Sequence, residues 1–190
     1  SVDSRLPPIG GATGRVSFTE SSLVLHDGRG QLFGDEVTIM GGFRPETGVA
    51  ITARGRATVE GLRAVIDHPW RRRLAGAASY SAGVTIRDGR THLSFESALQ
   101  GVSSALPVPL AKNPGDTLAL RVDIYPGESR ERISVALDRI VVAEFLRVQQ
   151  DGRLRLQRAA VALNPSPGES LRVPERRGFA IRGFLPALDL

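Results

Sequence analysis

Apolar and polar residues alternate with period two along most of the chain, the mark of strands that present one apolar face. Val16 and Phe18, then Leu23 and Leu25, Val37 and Ile39, and Val49 and Ile51 carry the pattern first. Val84 and Ile86 continue it, followed by Leu93, Phe95 and Leu99, and by Leu118, Leu120, Val122 and Ile124. Ile133, Val135 and Leu137, then Leu154 and Leu156, complete it. The expected fold is mainly β, a long antiparallel meander. Between these runs one tripeptide recurs: Asp27-Gly28-Arg29, Asp88-Gly89-Arg90 and Asp151-Gly152-Arg153, each with a leucine three residues after the arginine. Asp-Gly tolerates the positive φ angles of tight turns, so each reads as a hairpin tip. Their spacing of roughly sixty residues fits either a degenerate repeat or chance recurrence of a common turn dipeptide.

Two stretches break the alternation. In TVEGLRAVIDHPWRRRL, Val59, Leu62, Ile66, Trp70 and Leu74 recur at spacings of three and four. That spacing predicts a short amphipathic helix bent at Pro69 and marks 58–75 as a sub-boundary within one 190-residue segment. In GVSSALPVPLAKNPGD, Pro107, Pro109 and Pro114 exclude a central strand and predict an extended surface connection. A one-sided sheet of this length must cover its apolar face with a second sheet, curl on itself, or accept an apolar ligand.

Composition narrows the classes. No run of about 18 apolar residues is present, and SVDSRLPPIGG lacks the build of a signal peptide, so an internal or mature segment is expected. Cysteine is absent, which removes disulfides and thiolate metal sites without fixing the compartment. The net charge is +5, and Lys112 is the only lysine among the basic residues. A basic surface attracts lipid head groups or nucleic acid, but the sparse aromatic residues do not interleave with arginines into a base-stacking platform. Nucleic acid is therefore not an expected partner.

A search for chemistry finds none. His26, His68 and His92 have no metal-ligand spacing, no Gly-x-Ser-x-Gly elbow occurs, and GGATGR at 10–15 lacks the Lys-Ser/Thr ending of a phosphate loop. Glu20, Asp35 and Glu36 lie near turns without a matched carboxylate partner. No catalytic residue, metal site or cofactor is expected. The stronger signal is the apolar surface of Val84, Ile86, Leu93, Phe95, Leu99, Leu118, Leu120, Val122 and Ile124, continuous if the strands pair in sequence order. Pattern alone fits the dry core of a closed sandwich or an open groove for acyl chains.

The order of segments carries a resemblance. HPWRRRLAG, YSAGVTIRDGRTHLSFESALQG and VSSALPVPLAKNPGDTLAL together resemble the YhdP family of AsmA-like envelope proteins. The most specific string is Gly101, Ser103-Ser104, Leu106-Pro107, Pro109-Leu110, Lys112 and Gly115, then an apolar strand from Leu118. GRLRLQRAAVALN followed by RGFAIRGFLPALDL is similar to the family's later strand pair and terminal helix, while Tyr80 stands where many relatives carry tryptophan.

The resemblance implies a meander curled into an open, taco-like groove with one or two short helices, one slice of a longer periplasmic protein anchored in the inner membrane. Its expected partners are phospholipid and neighbouring segments of the same polypeptide, with dimerisation through edge strands when the slice is isolated. The nine apolar residues above would line the groove, and Lys112 with Arg71, Arg72 and Arg73 would sit at its rim against head groups. The alternatives are a structural or adaptor β-sandwich that binds a protein, and a nucleic-acid-binding module.

Overall fold

A computed structural model describes residues 9–64, 68–166 and 171–183. Its strands are β1 (Gly10–Phe18), β2 (Leu23–Leu32), β3 (Asp35–Arg44), β4 (Gly48–Thr58), β5 (Leu74–Arg87) and β6 (Arg90–Ser97). They continue with β7 (Val102–Ser104), β8 (Leu120–Pro126), β9 (Arg130–Leu137), β10 (Val141–Gln150), β11 (Arg153–Leu163) and β12 (Gly178–Gly183). All twelve belong to one sheet with the order β1-β2-β3-β4-β5-β6-β8-β9-β10-β11-β12, while β7, off that row, pairs with β5. β1 and β12 end the row without meeting, so the sheet is open. Neighbours are antiparallel throughout except β11 and β12, which are parallel.

The expected meander is present, with local differences besides the parallel β12. Asp88-Gly89 and Asp151-Gly152 are hairpin tips, with φ of 50° and 70° in the first and 51° and 73° in the second. Asp27-Gly28 is not a tip: it lies inside β2, and the chain reverses at Phe33-Gly34. There Asp27, at φ 50°, is an extra residue, so pairing passes from Arg15–His26 to Thr13–Arg29 and from Leu25–Gly41 to Gly28–Ile39. This β-bulge shifts the face of every residue that follows, which lets odd-numbered Leu25 and even-numbered Leu32 both pack against the core. Gln157 does the same in β11, placing Leu156 on the face shared by Ala159.

In its described residues the stretch expected to form an amphipathic helix holds two 3-10 turns, Gly61–Ala64 and Pro69–Arg73, with Leu74 already opening β5. Ile66 and the proposed terminal helix lie outside the described residues. Pro69 starts the second turn, where its missing N–H costs nothing, and the strand-forming run that follows leaves no room for helix propagation. The proline-rich stretch is mostly an extended connection, yet Val102–Ser104 form β7 against Leu74–Gly76 before the prolines begin.

The buried core is small and sits at one margin of the sheet, where Val37, Ile39, Ala57 and Tyr80 cluster with Phe33, Leu62, Ala82 and Phe95 around them. Phe33, at the β2–β3 reversal, folds back over the face to meet Tyr80 edge-on at 5.4 Å. Its carbonyl accepts from Thr58 N at 3.1 Å. Gly61 passes so close to that carbonyl that any Cβ there would collide with it. The Tyr80 ring covers its cross-strand neighbour Gly55, whose missing side chain makes the space.

Candidate functional site: an apolar face open to solvent

Cross-strand partners share a face, so the register draws rows across the sheet. One row begins with Val16, Leu25, Gly41, Ile51 and Val84 on β1 to β5. It continues with Leu93, Ile124, Ile133, Phe145, Ala159 and Phe179 through β12. Every position is apolar, across eleven strands. The neighbouring row runs through Ile39, Ala53, Ala82, Phe95, Val122, Val135, Ala143, Val161 and Ile181 and is apolar too.

Among the described residues no second layer covers this face. Phe18, Leu23, Phe43, Ile86, Leu156, Phe179 and Ile181 belong to it, and each is more than a third exposed, Phe18 at 80 % and Ile181 at 73 %. A large contiguous apolar surface in a water-facing protein marks a binding site. The margin near Tyr80 is filled by the protein's own rings, whereas the rows near Phe43 and Ile86 are open. A hollow of about 470 Å³ beside Gly41 and Gly42 is lined from both faces, by Leu23, Leu25 and Phe43 on one and Val24 and Met40 on the other. It belongs to that glycine-rich corner and not to the length of the apolar face.

Of the nine sequence-derived groove residues, Val84, Ile86, Leu93, Phe95, Leu120, Val122 and Ile124 are brought onto this face by strands β5, β6 and β8. Leu99 and Leu118 lie just beyond the strand ends, both half-buried, where Leu118 N donates to the Ala98 carbonyl at 2.9 Å. Phe95 is part of the core cluster, stacked on Tyr80 at 5.3 Å. Sequence reasoning missed the share taken by Phe43, Phe145 and Phe179, although their alternation was readable.

The head-group candidates fall on the margin opposite the Asp-Gly tips. Arg71, Arg72 and Arg73 lie in the second 3-10 turn, with Arg72 and Arg73 exposed, and the Arg73 carbonyl accepts from Ala105 N at 2.8 Å. Ser104 pairs with Leu74 on one side and Lys112 on the other, so the two basic segments are neighbours. The Lys112 ammonium is turned inward, donating to the carbonyls of Val102 at 2.8 Å and Asn113 at 3.0 Å. Burial of the stem and these two bonds give it a role in holding the proline-rich connection.

The other face is mostly polar, with apolar residues such as Met40, Val142, Leu146 and Val148 among its charged groups, and in its middle those charges pair with one another. Arg121 binds Asp123 through Nε at 2.7 Å and Glu96 through Nη1 at 2.6 Å, and His92 Nε2 lies 2.8 Å from the second Asp123 oxygen. The Arg121 hydrogen bond holds the Asp123 carboxyl below the usual range against the opposing effect of burial, with His92 helping, and the same pairing raises Arg121. His92 stacks on Tyr125 at 4.7 Å, and the Arg132 guanidinium lies 4.7 Å above that ring. Among the described residues no hydroxyl donates to His92, and no cluster of three or more His, Asp or Glu could hold a metal ion. What this arrangement does is brace adjacent strands.

No curated protein and no solved structure matches the chain. The family model described as YhdP protein matches residues 2–190, which include the open sheet and its bare apolar rows. By that match, covering nearly its whole length, the chain belongs to the YhdP family.

Proposed function

We propose that this chain binds phospholipid acyl chains along its apolar face and passes them on, as one segment of a periplasmic conduit between inner and outer membranes. The observation that carries the reading is the apolar face, eleven strands wide and open to solvent at Phe18, Leu23, Phe43, Ile86, Leu156, Phe179 and Ile181, on a sheet whose opposite face is mostly polar. Membership of a family consistent with lipid transport supports it. Acyl chains would shed water onto these rows at about 0.8 kcal/mol per buried CH₂, while the head group stays at the open side of the face. Rows that are apolar throughout let a chain slide, since one apolar position can replace the next. The reading is one of binding and passage, with no bond made or broken.

The test is native mass spectrometry of the purified chain, followed by extraction and lipid identification. Phospholipid should be retained and should be lost in Ile86→Asp and Phe43→Asp, whose side chains are 39 % and 42 % exposed and can be changed without unfolding the core. Phe95→Asp would confuse the result, because Phe95 is part of that core. No lipid on the purified chain and none acquired from phospholipid vesicles would overturn the proposal. It would then favour the second reading that the same bare face supports, an adaptor that docks a protein partner.

A further inference from the structure

One charged pair interrupts the apolar face. Glu131 and Arg147 lie directly opposite each other on β9 and β10. By alternation they share a face with Ile133 and Phe145, the next pair along. Arg147 Nη1 donates to Glu131 Oε1 at 2.9 Å. The two are not equally hidden: the Glu131 side chain is 3 % exposed and that of Arg147 is 38 % exposed. Replacing a buried ion pair with apolar residues is often neutral or stabilising, so the pair is not explained as glue for the sheet. The Arg147 guanidinium, held by a buried carboxylate on a side chain that is more than a third exposed, has its remaining N–H groups without a protein acceptor among the described residues.

We infer that Arg147 is a head-group subsite at the groove, holding the phosphate of a lipid whose acyl chains lie along Ile133, Phe145 and Phe179. The inference rests on the groove reading above and adds a ligand feature to it. Guanidinium is suited to phosphate because two parallel N–H groups match two oxygens, and being fixed beforehand reduces the ordering cost. Glu131 has a second effect. Its negative charge behind the guanidinium weakens the hold on an anion, which keeps the site shallow enough for a lipid to leave. Glu131 is thus a positioning residue that also limits affinity.

The experiment measures binding of three probes to the chain by calorimetry: dioctanoyl phosphatidic acid, dioctanoylglycerol with the same chains and no phosphate, and inorganic phosphate. The wild-type chain should bind the phosphatidic acid about tenfold more tightly than the diacylglycerol. Glu131→Gln with Arg147→Gln, which avoids leaving one buried charge alone, should remove that preference and leave diacylglycerol binding unchanged. Glu131→Gln alone should tighten phosphatidic acid only, an effect that a purely structural pair would not produce. Equal binding of the two amphiphiles by wild type, or a preference that survives the double substitution, overturns the inference and leaves the groove reading standing. Binding of neither amphiphile removes both. Inorganic phosphate binding as tightly as the phosphatidic acid would make the site one for free anion and overturn the lipid assignment.

Discussion

The ring of Phe33, in the reversal before β3, meets that of Phe95 on β6 edge-on at 6.3 Å, although β4 and β5 lie between those two strands. On a flat sheet three strand spacings are about 14 Å, so the sheet curls and the β2–β3 reversal leans over its face. This closes one margin of the groove. Phe33→Ala should lower stability by about 2–3 kcal/mol, less than for a fully buried ring, because Phe33 is half-buried. Denaturant unfolding would measure it, and a loss within error of zero would mean the margin is not held by this contact.

Tyr80 stacks in the same cluster, but its hydroxyl is buried with no hydrogen-bond partner among the described residues. Tyr80→Phe should therefore be neutral or stabilising by about 1 kcal/mol at neutral pH. Burial pushes the phenol up to about 12. The folded state keeps its proton longer than the unfolded chain does, so the associated stability is full below about pH 10 and is lost between about pH 10 and 12. Tyr80→Phe should lack that alkaline loss. Thermal melts across the range would show the two curves diverging, and parallel curves would refute the assignment.

Asp123 behaves oppositely. Its carboxyl is held below the usual range chiefly by Arg121, so its stabilisation is present above an unfolded value near 3.9 and is lost as pH falls through the lower folded value. Asp123→Asn should cost about 1–3 kcal/mol at neutral pH and flatten the acid limb of the stability curve. An unchanged acid limb would place the acid sensitivity elsewhere.

Deletion of Asp27 removes the bulge in β2. Leu23 and Leu25 would then turn to the polar face or the later half of the strand would, and either change should cost about 3 kcal/mol or more. Deletion of the same length at the exposed Thr47 turn should cost much less. Comparable losses would show that register here is not set by the bulge.

The sequence reached the sheet more easily than its bends. Leu93, Phe95, Val122 and Ile124 alternate without interruption, so their common face was readable from period alone. The first Asp-Gly-Arg was not, because the same dipeptide suits a hairpin tip and a positive-φ bulge, and only the partner strands distinguish them. The 3-10 turns were misread as one helix for a related reason: Val59, Leu62 and Trp70 have helical spacing, yet pairing of β4 with β5 outweighs a short helix that would bury little.

What the sequence determined by itself is local: the strands, their apolar faces and the absence of any readable catalytic motif, all consequences of side-chain alternation and residue chemistry. What only the tertiary structure decided is which residues share the groove and where charge enters it. Glu131 and Arg147 are sixteen residues apart, and nothing local sets one opposite the other. Their meeting depends on β9–β10 register, with apolar neighbours in space that make a single ion pair stand out as a site.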